Sequence, residues 1–282
     1  MSIRIITDSA SDMTEHKHPN LTVLPMTISF DAETYLDGVD LSHHGFYEKL
    51  IECDTLPKTS QIAPYLFASA LADAAQVGET PIVITLSSKL SGTYQSAVMA
   101  AADFPDAFVI DSETVCVGQR ILVEYALRLA DEGCPAAEIV EKLNREKKHI
   151  RLIALLDTLE YLRRGGRISS TAGFVSNLLS IKPVIAIEGG EVVILGKARG
   201  SKNGNNLLSQ LISQSEGVDF SKPYALGYTG LDDSLLQKYI RDSAPIWCEH
   251  TSDLPYGSVG GTIGTHAGPG AIAVAFFGKH GE

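Results

Sequence analysis

Residues 81–103, PIVITLSSKLSGTYQSAVMAAAD, hold the pattern that decides the fold. The first half is a β-rich apolar run, and the second is an alanine-rich run that suits a helix. Between them Ser87, Ser88, Ser91, Gly92 and Thr93 crowd into one loop. A strand that passes through a polar loop into a helix reads as part of an α/β unit.

The same alternation extends on both sides. Upstream, IRIITDSA (Ile3–Ala10) reads as a buried strand ending in small polar residues, and TVLPMTISF (Thr22–Phe30) as a second extended run. Leu41–Cys53 has helical apolar spacing with Ser42 as N-cap. Ala63–Gly78 is a helix with Pro64 in its first turn and Gly78 as its stop. Downstream, Ala107–Glu113 reads as a strand, and Val117–Gly133 and Cys134–His149 as helices. Strands alternating with helices at this spacing imply a parallel sheet with helices on both faces. Ligands of such sheets bind beyond the carboxyl ends of the strands. Here those ends carry TDSAS, LSSKLSGT and DSET, all rich in hydroxyls and small residues.

After residue 150 the character changes. RLIALLDTLEYLRRGGRIS reads as a strand and short helix that lead into a basic, glycine-broken turn. KPVIAIEGGEVVILGKARG is a hairpin about Glu188-Gly189-Gly190-Glu191. NNLLSQLISQ, PYALGYTG and DDSLLQKYIRD read as helix, strand and helix, and TIGTHAGPGAIAVAFF as one or two strands around a tight turn. The expected fold class is α/β: an N-terminal parallel-sheet α/β domain over residues 1–149, and an α+β domain over 150–282 with basic turns and the His266 loop. A ligand would sit between or beside them.

Composition sets outer limits. The chain has 282 residues, 44% hydrophobic and 20% charged, enough apolar material for a core and without a disorder signature. No apolar run approaches the roughly 20 residues that span a bilayer. MSIRIITDSASDM lacks the layout of a secretory signal, so a cytoplasmic location is expected. Cys53, Cys116, Cys134 and Cys248 form no C-x-x-C pair and read as free thiols. A net charge of −11 argues against nucleic acid as a partner. The segment 142–202 nonetheless holds 12 of the 23 basic residues and 5 of the 34 acidic ones. That balance is either a solvated face or a docking surface for an acidic partner.

Two loops and one histidine are candidates for chemistry. The hydroxyls of Ser91 and Thr93, with the backbone N–H groups of a helix start at Gly92, make an anion site, although ordinary N-capping accounts for them too. Thr59 and Ser60, just ahead of another helix, repeat the pattern with the same alternative. Of eight histidines, only His266 is enclosed by glycines. Glycines permit close backbone approach, so the turn looks built to hold an imidazole at a strand end. No G-x-S-x-G, P-loop or metal-ligand spacing occurs, and no cofactor or metal is expected.

In order, IITDSASDM, TSQ at Thr59, LSSKLSGTYQSA, VIDSE, LRRGGRIS and GTHAGPGA resemble the motifs of the DegV family. They span nearly the whole chain. The resemblance implies two α/β domains with a long-chain fatty acid between them. It also implies a function: in Gram-positive bacteria such proteins are the non-catalytic carrier subunit of a fatty acid kinase. They present the carboxylate to a separate kinase and receive it back as acyl phosphate, in the service of phospholipid metabolism. Transient membrane contact is compatible with that role. By the same resemblance Thr59, Ser91 and His266 hold the carboxylate. The resemblance further implies that the kinase docks on a positive patch near the pocket mouth, and some of Arg163, Arg164, Arg167, Lys197, Arg199 and Lys202 are expected to form it, with Arg167 and Arg199 foremost. The chain departs from the family pattern at Cys116, where serine is frequent, and at Ala267, which removes a hydroxyl. The alternatives are an acyl-transfer or hydrolytic enzyme using Ser91 and His266, or a lipid-sensing regulator without a kinase partner.

Overall fold

The computed structural model describes residues 2–13, 16–168, 181–215 and 217–279. Ser169, the last residue of the LRRGGRIS motif, and His280 of the tail lie outside the described residues. The strands before residue 150 are β1 (Ser2–Asp8), β2 (Leu21–Leu24), β3 (Thr27–Phe30), β4 (Glu33–Leu36), β5 (Lys58–Ser60), β6 (Glu79–Thr85) and β7 (Phe108–Asp111). Four of them form the expected parallel sheet, in the order β2-β1-β6-β7. Parallel neighbours need long crossovers. The helix Pro64–Gln76 leads into β6, and Thr93–Ala101 joins β6 to β7. Ile5, Ile6, Ile82, Val83 and Ile84 have no exposed surface, as expected of strands covered on both faces.

The remaining three strands form a small antiparallel sheet, β4-β3-β5, that the sequence pattern does not announce. The run Thr22–Phe30 is not one strand. Its first part pairs with β1 and its second with β4 and β5, broken at Pro25 and Met26. Proline has no N–H for a ladder, so the chain changes sheets there. Lys58–Ser60, expected as a loop just ahead of a helix, is an edge strand with Thr59 opposite Ile28. The next helix begins at Pro64 after Ala63, without any side-chain cap, so Thr59 and Ser60 do not cap it.

Beyond residue 149 come β8 (Ile150–Leu155), β9 (Ile181–Glu188), β10 (Glu191–Arg199), β11 (Ala225–Tyr228), β12 (Tyr256–Ser258) and β13 (Ile272–Phe277). They make one sheet in the order β10-β9-β8-β13-β11-β12. The β9–β10 hairpin turns on Gly189 and Gly190, with φ of 56° and 85°, the left-handed pair that a type I′ turn requires. The basic stretch GKARGSKN is not a turn. Lys197 and Arg199 end β10, and Lys202 lies in the first turn of the helix Gly200–Gln214.

Residues along β13 alternate between two cores, since successive side chains point to opposite faces. Ile272, Val274 and Phe276 pack into the cluster that holds Leu208 and Trp247. Ala273, Ala275 and Phe277 join the cluster that includes the parallel sheet. The inner face is therefore lined largely by small residues, and this makes room for a cavity.

Candidate ligand cavity

Across the inner face, Ala273 is paired with Ala154 on β8 and with Gly227 on β11. Ala154 is in turn opposite Ile185 on β9. Larger aliphatic residues in that row would fill the space in front of the sheet. Instead a cavity lies there, with about 910 Å³ of space free of protein atoms and partly open to solvent. Met26, Leu86, Val115 and Cys116 contribute to its lining from the first half of the chain. Most of the lining is aliphatic.

The polar lining residues include Thr59, Gln61, Ser91, Arg167 and His266, together with Thr229 and Thr262. Thr59 Oγ1 is 3.0 Å from His266 Nε2. Arg167 donates from Nε to the carbonyl of Leu90, next to Ser91, at 3.1 Å. The side chain of Gln61 occupies the space that a Cβ on Gly92 would take, 2.0 Å from its Oε1, and its Nε2 donates to Ser96 Oγ at 3.0 Å.

His266 is not in a turn between strands. It sits in the last turn of a helix, Gly261–Ala267, that ends at Gly268 with φ of 70°. This helix presses directly on aromatic rings. A Cβ on Gly261 would lie 2.5 Å from Ile28 Cδ1, and one on Gly264 would lie 2.6 Å from Phe46 Cε1. Gly165 clears the imidazole in the same way, since a Cβ there would come within 2.2 Å of His266 Nδ1.

That enclosure sets the imidazole's protonation. Burial, and then the nearby Arg167 guanidinium, push its pKa down to about 4, so the ring is neutral at physiological pH. Among the described residues Nδ1 has no hydrogen-bond partner. The tautomer protonated on Nε2 keeps its N–H bonded to Thr59, whereas the other would bury an unpaired N–H. With Thr59 Oγ1 accepting from His266, its own hydroxyl proton is free to point into the cavity. Ser91 is arranged alike. Its Oγ accepts from Thr93 N at 3.2 Å and lies 3.0 Å from Thr93 Oγ1. Thr93 Oγ1 itself accepts from Ile62 N at 3.4 Å. If Thr93 donates to Ser91, the Ser91 hydroxyl also turns outward. Two hydroxyl donors beside a neutral imidazole and a guanidinium suit an anion with two oxygens.

The other expected residues are distributed as follows. Ser60 is exposed, and Thr93 is fully buried behind Ser91. Gly92 is the N-cap of Thr93–Ala101, with no side-chain cap bond. Arg163 and Arg164 are exposed and share one carboxylate, Glu160, each at 2.7 Å. Lys197, Arg199 and Lys202 are exposed. Arg167, expected on the outer patch, is half-buried in the cavity wall, and its Nη1 donates to Gly165 O at 2.6 Å. Sequence reasoning does not single out Gln61, although it sits in the TSQ stretch. The cysteines among the described residues are free. No helix of the described residues is long and apolar enough to cross a membrane.

Comparison with known proteins supplies an independent line. The family model described as "uncharacterised protein, DegV family" matches residues 2–279. A DegV domain-containing protein of Caldanaerobacter subterraneus subsp. tengcongensis is 36% identical over 281 residues, covering 97% of this chain and 98% of that one. A solved structure described as fatty acid binding of a DegV family protein, from Thermus thermophilus, superposes with a TM-score of 0.88 at 26% identity, over 99% of this chain and 100% of that one. A stearic acid-binding protein from Eubacterium ventriosum gives a TM-score of 0.86 at 25% identity, with 98% of each chain covered.

Proposed function

This chain belongs to the DegV family, and on that footing we propose that it binds a long-chain fatty acid. The carboxylate is held by the hydroxyls of Thr59 and Ser91, with His266 turning the Thr59 hydroxyl toward it and Arg167 beside them, and the tail lies over the small-residue row of the sheet. The observation that carries this reading is one aliphatic cavity into which those four side chains converge. At about 0.8 kcal/mol per methylene, some 14 buried methylenes offer roughly 11 kcal/mol before ordering costs. The tail then provides affinity and the polar end provides orientation.

The polar end also favours binding over catalysis. An imidazole whose pKa lies near 4 is a weak general base at neutral pH. It faces Thr59 rather than Ser91. A carboxylate held by hydroxyls remains nucleophilic. We assign its use to a separate kinase, which transfers a phosphoryl group to a carboxylate oxygen as the bond to the nucleoside diphosphate breaks. Exposed Lys197 and Arg199, and the Arg163–Arg164 pair, are the docking candidates. Mass spectrometry of a solvent extract from purified protein tests the binding. A stoichiometric long-chain acid is expected. An extract without lipid, together with no uptake of added stearate, overturns the reading.

A further inference from the structure

The helix that carries His266 is short, glycine-rich and held in an unusual way. Seven residues do not sustain a helix alone. Its packing face offers Gly261 and Gly264 to Ile28, Phe46 and Tyr47, with no side chain to interlock. Smooth contact of this kind presses the helix into place but indexes neither its rotation nor its slide. At its far end the helix meets Gly165 and Tyr161, and at its start carboxylates supply directional bonds. Gly261 N donates to Asp37 Oδ1 at 3.0 Å, and Thr262 N to Asp37 Oδ2 at 3.2 Å. Gly260 N donates to Asp12 Oδ1 at 2.7 Å. These N–H groups have no partner within the helix, and the partial positive charge of the helix start favours acids there.

Asp37 is fixed in turn. It is 1% exposed, and Ser9 Oγ donates to its Oδ2 at 3.0 Å while accepting from Met26 N at 3.0 Å. Its own N–H donates to Met26 O at 2.9 Å. The link therefore runs from the small antiparallel sheet, through one buried carboxylate, to the helix start. From Gly261 to His266 is five residues, or about 7.5 Å along the axis. A small tilt or slip at the start displaces the imidazole from Thr59.

We propose that Asp37, with Asp12 as second anchor, is the positioning residue that sets the depth and rotation of His266 over the polar end of the cavity. Its consequence for ligand affinity rests on the fatty-acid reading above, but its consequence for the imidazole does not. Asp37→Asn tests both, because an amide nitrogen replaces one of the two acceptor oxygens and faces an N–H donor. Two measurements are made on the full chain: stearate affinity, and titration of His266 by NMR in lipid-free protein. The expected results are about tenfold weaker stearate binding and a His266 titration shifted upward from near 4 toward the ordinary value near 6.5. Leu208→Ala, in the other core, serves as the control for general destabilisation. It should leave the His266 titration where it was.

A folded Asp37→Asn protein with unchanged His266 titration overturns the proposal. So does an equal shift in Leu208→Ala. If Asp37→Asn fails to fold, Asp12→Asn takes its place under the same criteria. If the parent protein binds no stearate, the fatty-acid reading fails by itself, and the titration still decides the positioning role.

Discussion

Ala273→Leu should convert a long-chain site into a shorter one. Ala273 lies at the middle of the row Gly227–Ala273–Ala154, on the face that lines the cavity. The strand enters from the His266 helix through Ala271, so Ala273 lies two residues further from the polar end. Leucine adds three carbons, which take the room of about three methylenes of ligand. At about 0.8 kcal/mol each, displacing them costs roughly 2.4 kcal/mol, or about 50-fold in Kd for an acid that fills the cavity. An acid about four carbons shorter should lose little. The same leucine fills a hollow in the ligand-free protein, so Tm without lipid should rise. The assay is displacement of a fluorescent fatty acid by saturated acids of graded length, with thermal unfolding of delipidated protein alongside. Equal weakening at every length would refute the reasoning, because it would mean the tail does not run along this row. Unchanged stearate affinity would refute it more directly.

Other outcomes follow from the polar end, the buried acids and the surface. Ser91→Ala removes one hydrogen bond to a charged group, worth roughly 1.5–3 kcal/mol, and should weaken stearate binding about tenfold or more in an equilibrium titration. Burial raises Asp8 to about 7 and Asp12 to about 6, while His266 is lowered to about 4. Folding then takes up protons on the two acids over the interval where it releases one from the imidazole. Stability by urea unfolding should therefore fall as pH rises from about 4 to about 7, with a near-level stretch at about 6 to 6.5 where Asp8 and His266 offset each other, and a curve that rises across the whole interval would contradict the burial of Asp8. Lys197→Glu with Arg199→Glu should leave stearate affinity intact while slowing kinase-dependent phosphorylation and changing its salt dependence. Phosphorylation kinetics with unaltered rates at physiological salt would remove the docking role.

What can be read from the sequence is whatever has a period or a local anomaly. The parallel sheet is legible because its strands are continuous apolar runs and its helices carry stops such as Gly78 and Gly133, with φ of 75° and 80°. The loop at Ser91 stands out because it holds more hydroxyls than one cap requires. A strand of three residues has no period, so β5 stays hidden, and with it the placement of Thr59. Charge alone does not say which way a side chain turns, and so Arg167 reads as an outer residue when it lines the cavity. The alternation in AIAVAFF does mark a strand, but its alanines carry a second message, that one face is hollow, which depends on what lies opposite. The His266 helix shows the limit most clearly. Glycine costs about 1 kcal/mol per residue in a helix, so GGTIGTHAG argues locally for a turn. Tertiary packing overrides that local preference, because glycine alone allows the backbone to lie against Phe46 and Tyr47. Residues far away in the chain, Asp12 and Asp37, then replace the caps that the segment itself lacks. The glycines that conceal the helix are thus the ones that let it sit deep enough for His266 to reach Thr59.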